Sequence, residues 1–243
     1  MTHIFAHRGS AGTHPENTML AFKEAARVKA DGIELDVRLT KDGEVVIFHD
    51  DKVDRTTDGT GFVKDLTTKE LKTLNAGAKF KDGKFRAEIP LLKEFLEWFK
   101  TTELVCNIEF KTRSLKNFEL VRKTIAFIRD MKLEERIIFS SFNHFAIVYA
   151  YRVAPEIETA PLYSEGLFNP WIYAKAIRAK AIHPNFRSCP KELILKTQEH
   201  GIKVRPYTVN EKNEWLRLFK CKVDALITDF PEKARTFRDE LKR

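Results

Sequence analysis

Two short segments place carboxylates where they could share a cation. In Gly32-Ile33-Glu34-Leu35-Asp36-Val37 the alternation of an extended chain sends Glu34 and Asp36 to one face and Ile33, Leu35 and Val37 to the other. Two like charges that close are unfavourable unless a cation or a basic side chain sits between them, and oxygen-only ligation suits a hard ion such as Mg²⁺ or Ca²⁺. A salt-bridged solvent face would satisfy the same alternation. Against it stands Asn107-Ile108-Glu109-Phe110-Lys111, a second apolar run whose Asn107, Glu109 and Lys111 again share a face. Two histidines close further runs: His7-Arg8-Gly9 sets an imidazole beside a guanidinium able to hold an anion by paired hydrogen bonds, and His49-Asp50 follows Val45-Val46-Ile47-Phe48.

Such groups do chemistry only if the chain brings strand ends together. Short runs rich in Val, Ile and Phe fall at 4–7, 33–39, 45–49, 104–110, 136–140, 158–162, 181–183, 204–209 and 225–228. Between them lie helical periodicities near 17–30, 91–99, 117–131, 145–152, 170–178, 191–200 and 211–219. This alternation, over 243 residues, predicts a (β/α)8 TIM barrel as one domain, 1–243. The ninth strand has a cause: Asp42-Gly43 signals a tight turn, so 40–43 is expected to form a hairpin rather than a crossover. Residues 51–88 read as a small insertion over the barrel mouth, with a short helix at 67–75. Its Phe62, Phe80 and Phe85 are expected to pack as a satellite core under the loop, the alternative being contact with a leaving-group alcohol.

Composition narrows the classes. With 43% apolar and 32% charged residues the chain is expected to fold, and a formal charge of +8 favours anionic ligands without choosing among them. The basic residues are mixed with acids rather than gathered in an arm, which argues against nucleic acid as partner. Neither a signal-type h-region nor a run long enough to span a membrane appears, so a cytoplasmic protein with no stable membrane anchor is expected. Cys106, Cys189 and Cys221 show no metal spacing and are expected to be reduced packing thiols.

In a (β/α)8 barrel the reactive groups stand at the C-terminal strand ends, where these histidines and carboxylates all fall. Phosphodiester hydrolysis needs charge neutralisation on the phosphoryl oxygens, a base for the attacking oxygen and an acid for the leaving alkoxide. One cation, Arg8, Lys111 and two histidines meet those needs.

His7-Arg8-Gly9, Pro15-Glu16-Asn17-Thr18, Glu34-Leu35-Asp36-Val37, Asp42-Gly43 and His49-Asp50, in that order, resemble the N-terminal signature of the glycerophosphodiester phosphodiesterase family. Glu109-Phe110-Lys111, Ser140-Ser141-Phe142, Tyr207-Thr208-Val209-Asn210 and Thr228-Asp229-Phe230-Pro231 look like its later strand ends. The resemblance implies that Glu34, Asp36 and Glu109 ligate one divalent cation, Mg²⁺ or Ca²⁺ with Mn²⁺ also able to fit, and that His7 and His49 act as acid and base. It further implies Arg8 and Lys111 on the phosphate of a small glycerophosphodiester, cleaved to glycerol 3-phosphate and an alcohol. Where the family often carries Trp before Thr-Val-Asn this chain has Tyr207, whose phenol can still cover a glycerol moiety while adding a hydrogen-bonding group. Two rivals remain: release of a lysophospholipid headgroup, which needs an apolar groove beside the cation, and a non-catalytic binder of phosphate esters or nucleic acid.

Overall fold

The computed structural model describes residues 1–241. Its regular elements are, in chain order, β1 (His3–Ala6), α1 (Met19–Arg27), β2 (Gly32–Leu39), β3 (Val45–Ile47), α2 (Thr68–Thr73), α3 (Leu92–Phe99), β4 (Val105–Phe110), α4 (Glu119–Asp130) and β5 (Ile137–Ser141). There follow α5 (His144–Val153), β6 (Glu158–Tyr163), α6 (Pro170–Ala176), β7 (Ala181–Pro184), α7 (Lys191–Glu199), β8 (Lys203–Val204), α8 (Lys212–Lys220), β9 (Ala225–Thr228) and α9 (Pro231–Glu240).

Eight strands run parallel in the order β8-β7-β6-β5-β4-β2-β1-β9. The two ends of this sheet are joined by backbone hydrogen bonds from Asp224 N–H to the Val204 carbonyl (3.1 Å), Ile227 to Pro206 (3.0 Å) and Val209 to Ile227 (2.8 Å). The result is the expected TIM barrel. β3 stands outside it, antiparallel to β2 with Leu39 opposite Val45, and the turn between them has Gly43 at φ 78°. Because β3 leaves as a hairpin, β2 lies directly beside β4, with Asp36 opposite Glu109 and Glu34 opposite Asn107.

Alternation along each strand divides the core in two. Ile33, Leu35 and Val37 of β2 and Cys106, Ile108 and Phe110 of β4 face the helices, where they meet Phe22 of α1 and Phe95 and Phe99 of α3. Inside the barrel Phe5, Ile138, Ala225 and Ile227 form a small apolar plug below the mouth. The helices show their burial in sequence: α3 turns Leu92, Phe95, Leu96 and Phe99 inward, one stripe of a 3.6-residue repeat. Thr18 caps α1, its hydroxyl accepting from the Ala21 N–H at 3.3 Å.

Three expectations needed adjustment. The strand foreseen at 204–209 is regular only at Lys203–Val204, since Pro206 has no N–H to give the ladder, although Arg205 and Tyr207 still donate to β7 carbonyls. α9 was not foreseen, because in PEKARTFRDE only Pro231 and Ala234 are buried and no apolar stripe betrays the helix. The satellite core of the insertion is built from Val46, Phe48, Val53, Val63, Leu71, Ala76, Ala87 and Ile89. Phe62 instead lies exposed with Lys52 over its ring, and Phe80 pairs edge-on with Phe85. All three cysteines are buried and free. Among the described residues no helix is long and apolar enough to cross a membrane.

Candidate active site

β2 and β4 deliver the carboxylates. One oxygen each of Glu34, Asp36 and Glu109 lies within 4.8 Å of the others, and all three side chains are buried. Burial and the neighbouring charges of Asp36 and Glu109 push the Glu34 carboxyl well above the usual range. Glu109 is raised to about 7 by burial and by Asp36, against the opposing pull of Lys111. Burial also works against Asp36, but Lys111, Arg8 and His49 surround it with enough positive charge to hold it well below its ordinary value. The cluster therefore divides, with one acid held below the ordinary carboxylate range and two raised above it, as expected where several buried carboxyls crowd together. Asp36 Oδ1 is buried and makes no hydrogen bond; Lys111 Nζ stands 3.3 Å away, out of line for one. Three converging hard oxygens, on a cluster that also holds a buried Asp36 oxygen with no hydrogen bond, fit a divalent cation.

The cations border the cluster. Lys111 reaches Glu109 at 2.6 Å. Arg8 donates its backbone N–H to Glu34 at 2.9 Å, sets its Nη1 on Glu16 at 2.8 Å and holds Nε 3.5 Å from Asp36. To make that turn Arg8 adopts φ 50°, and Gly9 follows at φ 77° against the backbone of Ala21, leaving a Cβ built there 2.6 Å from the Ala21 carbonyl carbon. Gly9→Ala is accordingly expected to cost about 1–3 kcal/mol through strain at a left-handed residue with no room beside it. Denaturant unfolding would measure this, and an unchanged midpoint and slope would contradict it.

Both histidines are oriented by carboxylates. His7 Nδ1 lies 2.7 Å from Asp229 Oδ1, and His49 Nδ1 lies 2.6 Å from Asp50 Oδ1. Burial disfavours charge on Asp229, yet hydrogen bonds from His7 and Asn210 outweigh it and keep this acid below the usual range. Asp50 is likewise lowered to about 2, by Arg55 and His49 against burial. An ionised carboxylate only accepts, so each ring carries its proton on Nδ1 and leaves Nε2 for chemistry. For His7 that nitrogen lies 4.0 Å from Glu34 Oε2. Burial pulls the pKa of His49 down, which favours its neutral form.

Tyr207 lines the opposite wall. Its hydroxyl donates to the Tyr163 carbonyl at 3.1 Å and its ring stands edge-on to Phe142 at 5.9 Å, with Lys111 Nζ as far from the Phe142 ring. A cavity of about 430 Å³ lies over these groups, lined by His49, Glu109, Lys111 and Phe142. All eight residues singled out from the sequence are thus gathered at one mouth; His183, which closes β7 before Pro184 at a position that could have lined the site, is instead sealed inside the barrel 3.4 Å from Arg205.

Several supporting residues had no role assigned from the sequence, although Asp229, Asn210 and Asn17 lie in the segments that carry the resemblance. Asp229 comes 222 positions after His7, and Asn210 fixes it by donating from Nδ2 at 2.6 Å. Asn17, in the left-handed region at φ 56°, donates to Asp36 Oδ2 at 2.8 Å. Arg38 donates twice to the His49 carbonyl, at 2.9 and 2.6 Å. Only adjacency of His49 and Asp50 was visible in the linear order.

Known proteins share this arrangement of chain. Residues 7–233 match the glycerophosphoryl diester phosphodiesterase family. A glycerophosphodiester phosphodiesterase of Caldanaerobacter subterraneus subsp. tengcongensis is 44% identical over 232 residues, covering 95% of both chains. One from Bacillus altitudinis is 39% identical over the full length of both. Among solved structures, an Oleispira antarctica phosphodiesterase in complex with the product sn-glycerol-3-phosphate superposes with a TM-score of 0.91 at 30% identity, over 98% of this chain and 97% of the other. Matched over residues 7–233 and by relatives along nearly its whole length, this chain belongs to the glycerophosphoryl diester phosphodiesterase family of enzymes.

Proposed function

We propose that the protein hydrolyses glycerophosphodiesters to glycerol 3-phosphate and an alcohol, using a divalent cation held by Glu34, Asp36 and Glu109. The observation that carries this reading is the meeting, at one barrel mouth, of three buried carboxylates, two cations and two oriented imidazoles. The Oleispira relative, similar along the whole chain, holds sn-glycerol-3-phosphate as its product, which supports glycerol phosphate as the retained half.

A bound cation would supply Lewis-acid stabilisation of the phosphoryl oxygens. The chain's own groups do the rest. Arg8 and Lys111 bind the phosphate and share its negative charge as it grows in the transition state. Nε2 of one imidazole takes the proton of the attacking oxygen, and Nε2 of the other returns a proton to the departing alkoxide. Asp229 and Asp50 keep both rings in the tautomer this exchange requires. Tyr207 and Phe142 give the organic part of the ester an aromatic wall. Incubation with glycerophosphocholine should release glycerol 3-phosphate and choline in equal amounts; release of phosphocholine and glycerol instead would refute the assignment of the scissile bond.

The acids also set a pH dependence. A carboxyl whose pKa is higher in the folded chain than in the unfolded one retains its proton on folding, so the cation-free fold loses stability as pH rises from the ordinary carboxylate range through about 7, the Glu109 value. A cation must displace that proton, and its stabilising effect should therefore grow over the same window. The rise in melting temperature on adding Mg²⁺ is expected to be larger at pH 7.5 than at pH 5.5. Equal increments at both would argue against ligation by Glu109.

One observation favours lysophospholipids as further substrates. Leu115, Phe142 and Phe168 are exposed on the loops after β4, β5 and β6, neighbouring strands of the barrel, with Phe145 exposed in the first turn of α5, and Phe168 is 93% exposed. These side chains could shelter an acyl chain beside the mouth. Comparable kcat/KM for lysophosphatidylcholine and glycerophosphocholine would support that reading; turnover of the second alone would remove it.

A further inference from the structure

We propose that Arg55, supplied by the insertion, is a positioning residue for the reaction: one guanidinium clamps the carboxylate that orients His49 to the carboxylate that anchors Arg8. Its Nε donates to Asp50 Oδ2 at 2.6 Å and its Nη2 to Asp50 Oδ1 at 3.3 Å. Nη1 and the same Nη2 donate to Glu16 Oε2 and Oε1 at 2.8 and 2.6 Å. Four of the five N–H donors of a guanidinium are thereby engaged on two carboxylates, which leaves Arg55 little to offer a substrate directly. Asp50 passes the constraint to His49 Nδ1 at 2.6 Å, and Glu16 passes it to Arg8 Nη1 at 2.8 Å. Proton transfer and phosphate binding are thus tied to one side chain that belongs to neither.

The insertion is built to present this side chain. Thr57 is fully buried, its hydroxyl donating to the Val53 carbonyl at 2.8 Å and accepting from the Gly59 N–H at 3.0 Å. Asp54 accepts from the Gly61 N–H at 3.0 Å, the Val53 N–H donates to the Gly61 carbonyl at 3.0 Å, and Asp58 accepts from the Asn75 N–H at 2.8 Å. Val53 itself is anchored in the satellite core. The loop around Arg55 is closed upon itself, so the arginine reaches Asp50 and Glu16 from a preformed turn and not from a free tether. Without it Glu16 would keep only Arg8 as its cation and Asp50 would have no guanidinium bonded to it, free to turn away from the imidazole.

This inference rests on the reading of His49 as a proton-transfer group, and the two are separable by experiment. With glycerophosphocholine as substrate and Mg²⁺ present, Arg55→Ala should lower kcat by about 10–100-fold, the usual scale for residues that orient a reacting group from behind. Arg55→Lys, which keeps the charge but lacks the fork, should recover only part of that loss. In an Asp50→Ala background the same Arg55→Ala change should cost kcat less than about threefold, because the path to His49 is already cut. Any remaining rise in KM should vanish in a Glu16→Ala background. Full loss in both backgrounds, or full recovery by lysine, would overturn the proposal. If Arg55→Ala does not fold, as judged by its melting curve, Arg55→Gln and Arg55→Lys carry the same cycle. Wild-type turnover in His49→Ala would strike the function reading instead, whatever the arginine variants do.

Discussion

Chelation of divalent cations is expected to lower glycerophosphodiester turnover by about 10³-fold or more, with recovery on adding back Mg²⁺, Ca²⁺ or Mn²⁺. The magnitude follows from the several kcal/mol that a Lewis acid contributes to a crowded phosphoryl transition state, each 1.4 kcal/mol being about tenfold in rate. Asp36→Ala should match the chelated enzyme and resist rescue by added metal. Asp36 is the one acid of the three held below the ordinary carboxylate range, and its Oδ1 is buried without a hydrogen bond. Its loss also takes from Arg8 and Lys111 a carboxylate 3.5 and 3.3 Å away, leaving them paired to Glu16 and Glu109 alone. Measured kcat with and without chelator decides the matter. Full activity in either preparation would dismiss the cation and return the three carboxylates to the plainer reading of a salt-bridged cluster.

The second large effect belongs to the imidazoles. His7→Ala and His49→Ala are each expected to reduce kcat by about 10²–10⁴-fold, the range for general acid or base catalysis. Both side chains lie partly open at the mouth, so melting temperatures should change far less than rates. The partners sharpen the test. Asp229→Asn keeps the shape of the side chain but offers an amide to His7 Nδ1, so the ring can take the opposite tautomer and turn a hydrogen, not a lone pair, toward the substrate. A loss of rate approaching that of His7→Ala would show that orientation and tautomer, not mere presence of the ring, are what Asp229 provides. Retained wild-type turnover in either histidine variant would remove that residue from the mechanism.

What could be read from the linear chain was whatever depends on alternation. Glu34 and Asp36 share a face because a strand has a period of two, and the same holds for Asn107 and Glu109. That the two pairs face each other depends on β2 pairing β4 in register, with Asp36 opposite Glu109, a consequence of β3 leaving the barrel. The Asp-Gly turn announced that departure. Asp229 and Arg55 were not legible as partners of His7 and Asp50, because closure of the barrel and the fold of the insertion set those contacts, and neither leaves a local pattern. α9 stayed hidden for the opposite reason: its buried surface is too small to impress a period on the sequence.

Pairing of β1 with β9 has a consequence for the order in which activity can arise. A chain made from its N-terminus exposes His7 first and the clustered acids of β2 and β4 after it, but Asp229 follows β9, late in the chain. Until β9 is laid against β1, the first imidazole has no carboxylate to choose its tautomer and the barrel remains open. A nascent chain therefore carries nearly all the groups proposed to act in the reaction while being unable to use them together. The enzyme is expected to switch on only as the last strand docks, and a chain truncated just before β9 should be inactive even where its earlier βα units have formed.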